Sequence, residues 1–323
     1  MKLYSYDISS AYPSHASRLF DLRDCTIRHS TDLDLSAAYG FLTGDFTVYP
    51  DHPLAFCSPF LTDRGDGMLV NFSGTVRNYP CLLDEVRTLV ELEMGEFTLS
   101  DGWFVYPSVP DPRRPFKELM DALFKVRSEG SPALAPDPIL ARNGDFVNLK
   151  YYIVKRVMTG IVGKLLEARR DGNGNVIEYG QLYNPIYHAL CTTRTRLQVF
   201  RFIVENRISQ SELVHVGVDG IKATKHIPLP SQAPMGEWRC SGSEPTFVLS
   251  PGAIISPHRN FKQTSFGQLL VECLNRPTAY RLGDNSDVDL RRLFSNQNRR
   301  FPKLPHNAQS LLEEKYRSEP VVL

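Results

Sequence analysis

The sequence predicts an α+β protein in which two short strands that end in aspartates flank a helical hairpin. The first strand is the apolar stretch 3–6 before Asp7, and the second runs over 213–221 with Asp219 in its turn. Between them, residues 115–169 hold two helical runs separated by a Gly- and Pro-rich segment. Two strands that each deliver an aspartate suggest a two-metal site, because hard divalent cations prefer carboxylate oxygens.

The composition is typical of a soluble globular protein. The 323 residues are 42% hydrophobic and 23% charged, a length that suits two or three subdomains. No apolar run approaches the roughly 20 residues that cross a bilayer, and the N-terminus lacks a signal-peptide core. We therefore expect a cytoplasmic protein with no membrane partner. Its six scattered cysteines fit buried thiols in a reducing compartment better than zinc sites or disulfides.

The distribution of charge is more informative than the net charge of +1. Residues 31–102 contain 12 acidic and 3 basic side chains, whereas residues 142–170 contain 7 basic and 2 acidic ones. Residues 257–303 contain 9 basic and 4 acidic side chains. Such asymmetry would give some elements a positively charged surface that attracts phosphate. Charged helix faces are most often only solvated, so the charge distribution alone does not establish nucleic-acid binding.

The N-terminal part reads as strand, turn and helix start over residues 1–14, followed by a mixed segment. Short strands are predicted at 40–48, 67–72 and 102–105, and a helix at 82–94 with Gly95 as its stop. Residues 107–115 form a proline-rich joint.

The middle of the chain predicts an α-hairpin. One helix covers 115–129, with Pro115 at a favoured first position, and a second runs from about 145 to 169 after the loop 130–138. Further on we predict a turn at 171–175, a strand at 176–179, a helix at 185–206, the strand that carries Asp219, and a small mixed subdomain beyond Lys225.

The two aspartates have the residue type that phosphoryl transfer from a nucleoside triphosphate needs. Two Mg²⁺ ions about 3.5–4 Å apart neutralise the triphosphate and activate the attacking hydroxyl, and hard oxygen ligands hold them. Asp7 and Asp219 are more than two hundred residues apart, so only a sheet could bring them together. Taken singly, each aspartate is more often a turn former at a strand end.

The turn after Asp7 adds groups that suit a nucleotide. Ser9, Ser10 and Ala11 lie where the chain passes from strand to helix, so successive backbone N–H groups could cradle an anion. Tyr12 could stack under the sugar and exclude a 2′-hydroxyl, although core packing is an equally ordinary role for its ring.

The second helix of the hairpin presents a polar face. Tyr152, Lys155 and Thr159 follow i, i+3, i+7 spacing, and a lysine there could meet a triphosphate. Gly160 and Gly163 each cost a helix about 1 kcal/mol, so they require a reason. Close approach of a base pair is one reason, and tight helix packing is the other.

These motifs together resemble family B DNA polymerases, closest to the protein-primed type of phages and linear plasmids. Residues 7–14, Asp-Ile-Ser-Ser-Ala-Tyr-Pro-Ser, resemble motif A, Asp-x-x-Ser-Leu-Tyr-Pro-Ser. Residues 155–164 resemble motif B, Lys-x-x-x-Asn-Ser-x-Tyr-Gly-Lys, and residues 217–220 lie where motif C, Asp-Thr-Asp-Ser, is expected. The resemblance covers roughly residues 1–225.

The resemblance implies a right-hand polymerase with an antiparallel palm sheet, a two-helix fingers hairpin and a small thumb. Residues 1–110 would form the first part of the palm, 111–170 the fingers, 171–225 the second part of the palm and 226–323 a thumb-like subdomain. The implied activity is template-directed DNA synthesis, with deoxynucleotides added to a 3′-hydroxyl on a primer–template. The cytoplasm would be that of a bacterium, or of the host of a virus or plasmid.

The resemblance also implies a role for each matched residue. Asp7, Asp219 and the Ile8 carbonyl would bind two Mg²⁺ ions, or Mn²⁺. The implied nucleotide-binding residues are Ser9, Ser10, Ala11, Tyr12, Arg127, Lys155, Thr159 and Gly160. The implied nucleic-acid-binding residues are Gly163, Lys164, Arg194, Arg196 and Lys222. A separate exonuclease-bearing subunit or a terminal protein would be a further partner.

The sequence departs from the family pattern at several places. Gly217 replaces the first motif C aspartate, and Thr159, Gly160 and Val162 replace Asn, Ser and Tyr of motif B. The chain starts six residues before Asp7, so we expect the family's exonuclease to be truncated, split off or lost. Two alternatives to an active polymerase stay open. One is a degenerate palm that binds nucleic acid or a partner protein, and the other is a template-independent or protein-priming nucleotidyltransferase.

Overall fold

A computed structural model of the chain describes residues 2–63, 65, 69–129, 140–142, 145–147, 149–172, 174–245, 247–250 and 253–255. The chain divides into two units, residues 3–243 and residues 1–2 with 244–323. The larger unit carries both main sheets, the helices and the candidate site. The predicted loop 130–138 and the stretch 256–323 of the predicted thumb lie outside the described residues.

The strands are, in chain order, β1 (Lys2–Ile8), β2 (Cys25–Ser30), β3 (Tyr39–Val48), β4 (Leu61–Asp63), β5 (Leu69–Asn71), β6 (Gly74–Leu82), β7 (Gly95–Pro107), β8 (Leu140–Arg142), β9 (Asp145–Val147), β10 (Ala168–Arg170), β11 (Val176–Tyr179), β12 (Leu213–Val216), β13 (Gly220–Ala223), β14 (Trp238–Pro245), β15 (Phe247–Ser250) and β16 (Ala253–Ile255). The helices are α1 (Ala11–Ala16), α2 (Leu83–Glu91), α3 (Lys117–Glu129), α4 (Leu149–Lys164) and α5 (Pro185–Glu205). Short 3₁₀ turns lie at Leu22–Asp24 and Ala55–Cys57.

The first sheet has the order β12-β13-β1-β14, with β1 between β13 and β14. Strands β1 and β13 are antiparallel, with Asp7 opposite Gly220. The single strand predicted over 213–221 is wrong, because a turn at 217–219 splits it into the hairpin β12–β13. The Gly217 N–H donates to the Gly220 carbonyl at 2.7 Å and closes that turn. Strand β14 also belongs to this sheet, although the sequence placed it in the thumb-like part.

The second sheet has the order β2-β7-β3-β6 and is antiparallel in its three ladders. Strand β7 is much longer than predicted and starts at Gly95, which the sequence had assigned to the end of a helix. A Cβ at Gly95 would lie 1.8 Å from the Thr47 carbonyl oxygen, so the close approach of β3 and β7 requires glycine here. The preceding helix, α2, already ends at Glu91.

The helical hairpin is shorter than the sequence predicted. Helix α3 agrees with expectation, but α4 covers Leu149–Lys164 and not the whole of 145–169. The last predicted turn instead forms β10, which pairs with β11. The Asp171 carboxylate accepts the Asn175 N–H at 2.8 Å, so local turn chemistry folds this segment as a hairpin and overrides its helical pattern.

Helix α5 joins the two sheets. It begins after Asn184, whose side chain accepts the Tyr187 N–H at 3.1 Å, and Pro185 occupies its first turn. Phe202 of α5 stacks on Trp238 with ring centroids 3.9 Å apart and packs against Tyr6. One buried cluster thus lies between the first sheet, α2, α5 and the second sheet, and another joins α1, α3, α4 and α5 to the second sheet.

The remaining predictions concern thiols and the membrane. The five described cysteines are free, and burial raises the pKa of Cys57 and of Cys191 to about 12, so these two are unreactive packing residues. Cys273 lies outside the described residues. Within the described part of the chain, no helix is both long enough and apolar enough to cross a membrane.

Candidate active site

The two aspartates that the sequence singled out lie side by side on the first sheet. Asp7 is near the end of β1, and Asp219 is in the β12–β13 turn directly before the residue that pairs with Asp7. The Ile8 N–H donates to the Asp219 carbonyl at 2.9 Å. A Cβ at Gly220 would lie only 3.1 Å from the Asp7 Cβ, which shows how closely the turn approaches β1. Sheet pairing therefore brings together residues far apart in the sequence.

The two carboxylates influence each other. Burial removes water from around Asp219 and raises its pKa, and the negative charge of Asp7 raises it as well. The Asp219 side chain nevertheless reaches solvent. The positive charges of Lys155 and Arg239 act in the opposite direction. Two adjacent carboxylates repel unless a cation lies between or beside them, so this pair requires positive charge in its surroundings.

Arg239 of β14 supplies part of that charge and is a residue that sequence reasoning missed. Its Nη2 and Nε atoms lie 2.6 Å and 3.0 Å from Asp7 Oδ2, and both side chains are about a quarter exposed. The other oxygen, Asp7 Oδ1, is buried without a hydrogen-bond partner. Buried polar atoms are nearly always paired, so this oxygen indicates a missing cation or donor.

An unpartnered carboxylate oxygen beside a second carboxylate fits a hard divalent cation such as Mg²⁺ or Mn²⁺. Within the described ranges no group of three or more His, Cys, Asp or Glu side chains could hold a metal. The ligands available from side chains are therefore Asp7 and Asp219, and the remaining positions of an ion would fall to backbone carbonyls, water or substrate.

The turn after β1 differs from the predicted run of free amides. Ser9 is buried, its N–H donates to the Glu237 carbonyl at 2.9 Å, and its carbonyl accepts the Gly236 N–H at 2.7 Å. The Ser9 amide is therefore engaged by the chain that leads into β14 and cannot hold a phosphate. Ser10 adopts a left-handed conformation with φ 52°, and its hydroxyl accepts a hydrogen bond from Arg127.

Ala11 and Tyr12 open helix α1. Ala11 is buried and packs in the core, so only its backbone could meet a ligand. Tyr12 is half-buried, and burial followed by the negative charge of Asp219 raises the pKa of its hydroxyl. The Tyr12 hydroxyl is therefore within electrostatic reach of Asp219, and it stays protonated at neutral pH.

The helical hairpin brings cations to the same place. Arg127 of α3 is buried and donates to the Ser10 hydroxyl and, over 3.2 Å, to the Tyr151 hydroxyl of α4. Burial raises the pKa of Tyr151, but Arg127, Lys155 and Arg239 outweigh it and lower that pKa overall. Arg127, Lys155 and Arg239 thus bring positive charge to Tyr151 from three different elements, and Lys155 and Arg239 also act on Asp219. Tyr151 was not predicted, although it lies one turn before Lys155 on the same helix face.

The small residues of α4 leave open surface. Gly160 and Gly163 are exposed, and a Cβ at either would meet nothing within 4 Å. Tight helix packing therefore does not explain these glycines. The surface beside them is open enough for a ligand. Thr159 is exposed and its hydroxyl donates to the Lys155 carbonyl at 3.0 Å, while Lys164 forms an ion pair with Glu167. The side chain of Tyr152 lies outside the described residues.

Arg194 and Arg196 are engaged inside the fold, which corrects their expected place on a nucleic-acid surface. Arg194 Nε lies 2.8 Å from Asp84 Oδ2, and its guanidinium stacks 4.9 Å from the Tyr39 ring centroid. Arg196 Nη2 lies 2.6 Å from Oε1 of the buried Glu85. Both arginines therefore join α5 to the start of α2 through ion pairs with Asp84 and Glu85.

Two further predicted positions lie on the β12–β13 hairpin. A Cβ at Gly217 would lie 3.2 Å from the Gly220 carbonyl oxygen and 3.6 Å from His215 Nε2, a tight fit without backbone strain. Lys222 of β13 is half-buried, opposite Ser5 of β1 and His215 of β12.

No family model matches the sequence, and neither does any curated protein. Among solved structures, the chain is similar to phi29 DNA polymerase complexed with primer–template DNA and incoming nucleotides, with TM-score 0.51 and 12% identity over 75% of this chain and 43% of that one. It is similar to phi29 DNA polymerase with single-stranded DNA at TM-score 0.50 and 12% identity, over 79% and 48% of the two chains. The chain spans less than half of that polymerase and has a distant polymerase-like fold with antiparallel sheets.

Proposed function

We propose that this chain is a template-directed DNA polymerase module that adds deoxynucleotides to a 3′-hydroxyl, with Asp7 and Asp219 as its metal ligands. The observation that carries the proposal is the aspartate pair, Asp7 on β1 and Asp219 in the adjoining β12–β13 turn, with Asp7 Oδ1 buried and unpartnered. When bound there, Mg²⁺ or Mn²⁺ would supply charge neutralisation on the triphosphate and activation of the attacking hydroxyl. The likeness in fold to a DNA polymerase supports this reading.

The surrounding residues would position the nucleotide. Lys155 brings positive charge to Asp219, and Arg127 brings it to Ser10 in the turn after β1, where a triphosphate would need it. Tyr12, whose hydroxyl is influenced by the charge of Asp219, would place its ring under the sugar and exclude a 2′-hydroxyl. The open surface at Gly160 and Gly163 would receive the nascent base pair. The primer–template, and a terminal protein or exonuclease-bearing subunit, are the partners proposed with this activity.

A second candidate function is a degenerate palm that binds DNA or a partner without catalysis. Two observations favour it. Arg239 forms a charged hydrogen bond with Asp7, so its guanidinium already neutralises the proposed metal ligand. Gly217 also provides no carboxylate at the position where the family pattern has its first motif C aspartate.

Primer extension separates these candidates. A labelled primer–template is incubated with all four deoxynucleotides and Mg²⁺ or Mn²⁺, beside an unpaired primer. Extension that follows the template sequence supports the polymerase, whereas extension of the unpaired primer alone supports a template-independent transferase. Retained DNA binding with no extension in either metal supports the degenerate palm.

We expect Arg239→Gln to tighten binding of Mn²⁺ by roughly tenfold, which corresponds to about 1.4 kcal/mol. The substitution removes a positive charge 2.6 Å from Asp7 Oδ2 and frees that oxygen for a metal ion. Calorimetric titration of the folded protein with Mn²⁺ measures the change. Arg201→Gln is the matched control, because Arg201 also forms an ion pair with a carboxylate. Its partner is Glu91, which is not one of the proposed metal ligands. Equal Mn²⁺ affinity in both variants would contradict competition between Arg239 and the metal.

We expect Gly217→Asp to raise Mg²⁺ affinity and the Mg²⁺-supported extension rate by roughly tenfold, because metal affinity rises with the number of charged ligands. The backbone tolerates a side chain at this position once the Gly220 carbonyl shifts by a few tenths of an ångström. Gly217→Asn has the same shape without the charge and serves as the control. If Asn raises the rate as much as Asp, the new carboxylate does not act on the metal.

A further inference from the structure

A cavity of about 510 Å³ lies between the end of α1, the start of α3 and the segment before β14. We call it the basic cavity, and the side chains that define it are Arg18, Arg114, Lys117, Asp121, Phe124 and Lys125. Four of these carry positive charge and one carries negative charge. None of them belongs to the set around Asp7 and Asp219, so the basic cavity is a separate feature of the same unit.

The positive charge of the basic cavity is only partly neutralised. Lys117 Nζ lies 2.5 Å from Asp121 Oδ2, and Arg114 forms a longer contact of 3.4 Å with Asp111. Arg18 and Lys125 are exposed and have no ion-pair partner in the part of the chain that the structure describes. A concave site with two uncompensated cations attracts anions, since its walls concentrate the field.

The face of α3 that lines the basic cavity adjoins the residue of the same helix that contacts the turn after β1. Lys117, Phe124 and Lys125 follow i, i+7, i+8 spacing and line the cavity. Arg127, on the buried side, donates to the Ser10 hydroxyl beside Asp7. The eleven residues from Lys117 to Arg127 rise about 15 Å along the helix, which a strand of a few stacked nucleotides would cover.

We propose that the basic cavity binds a single-stranded segment of the nucleic acid on which the active site acts. Arg18 and Lys125 contact its phosphates, and the half-buried Phe124 ring provides a stacking surface for a base. The cavity volume suits a nucleotide-sized ligand. An aromatic wall beside free cations favours a nucleotide over a bare phosphate, because the ring contributes only when a base is present. This inference deepens the proposed function and rests on it.

The test compares the salt dependence of oligonucleotide binding. A labelled single-stranded oligonucleotide is titrated with wild type and with the double variant Arg18→Ala/Lys125→Ala, from about 50 to 200 mM salt, without metal or nucleotide. Each lost phosphate contact on a single strand lowers the slope by about 0.7, so wild-type affinity should fall about sevenfold more than that of the variant over this range. The control is Arg28→Ala/Arg77→Ala, which removes two exposed arginines of β2 and β6 and should keep the wild-type slope.

A second variant tests the base contact. Phe124→Leu keeps an apolar side chain and should weaken oligonucleotide binding severalfold while binding of inorganic tripolyphosphate stays unchanged. A wild-type slope in the double variant, or equal effects of Phe124→Leu on both ligands, overturns the inference. Binding is measured without catalysis, so the two proposals can fail separately. A wild type that binds the oligonucleotide but fails to extend a primer refutes the polymerase, and the binding data still test the basic cavity.

Discussion

Replacing Asp219 by alanine is expected to reduce primer extension at least about a thousandfold, a loss of about 4 kcal/mol in transition-state stabilisation. Asp219 provides one of the two side-chain carboxylates proposed to hold the metal, and the described residues contain no larger group of metal-binding side chains. Its removal leaves Asp7 alone, already paired with Arg239 through one oxygen. The exposed turn at 217–219 contributes little to the core, so the variant should fold and bind primer–template within about twofold of wild type.

The stability of Asp219→Ala provides an independent check on its role. The pKa of Asp219 is raised in the folded protein, so its ionised form disfavours folding at neutral pH. Removing the side chain should therefore leave the melting temperature unchanged or increase it, as is common for residues kept for activity. Asp51→Ala, at an exposed loop position after β3, is the control and should retain full extension. Extension at the wild-type rate in Asp219→Ala would remove this residue from the site.

The parts of the fold that were predictable from sequence are those set by local chemistry. Strand β1, α3 and α5 follow the hydrophobic spacing, and residues that favour helix starts lie before or within the first turns of the helices at Pro115, Asn184 and Pro185. The α+β class and the antiparallel sheets agree with the prediction. The aspartate pair was inferable because each residue ends a strand in a recognisable turn, although its pairing depended on a sheet that sequence could only suggest.

The parts that could not be predicted depend on contacts distant in sequence. Arg239 lies in a proline-rich stretch without periodicity, and only the pairing of β14 beside β1 places it over Asp7. The family resemblance implied that Arg194 and Arg196 bind nucleic acid, and nothing local reveals that Asp84 and Glu85 lie opposite them. A charged helix residue that points inward and one that points to solvent have the same sequence signature.

Replacing Arg196 by alanine is therefore expected to lower the free energy of unfolding by about 3–5 kcal/mol, the usual loss when one partner of a buried ion pair is removed. Glu85 is only 3% exposed, and its carboxylate accepts hydrogen bonds from Arg196 at 2.6 Å and from the Leu82 N–H at 2.9 Å. Without Arg196 a buried carboxylate keeps a single donor. Burial already raises the pKa of Glu85, and loss of the guanidinium raises it further.

The pH dependence and a matched control distinguish this structural role from nucleic-acid binding. Because a raised carboxyl pKa costs stability above the pKa of the unfolded chain, near 4.3, the deficit of Arg196→Ala should shrink as pH falls from about 7 toward 4.3. Arg201→Ala breaks the exposed pair with Glu91 and should cost about 1 kcal/mol or less. Urea unfolding at both pH values measures these differences, and DNA affinity is measured where every variant is folded. A small stability loss in Arg196→Ala together with a large loss of DNA affinity would return Arg196 to the nucleic-acid surface, whereas the opposite result establishes the Arg196–Glu85 pair as a stabilising link between α5 and α2.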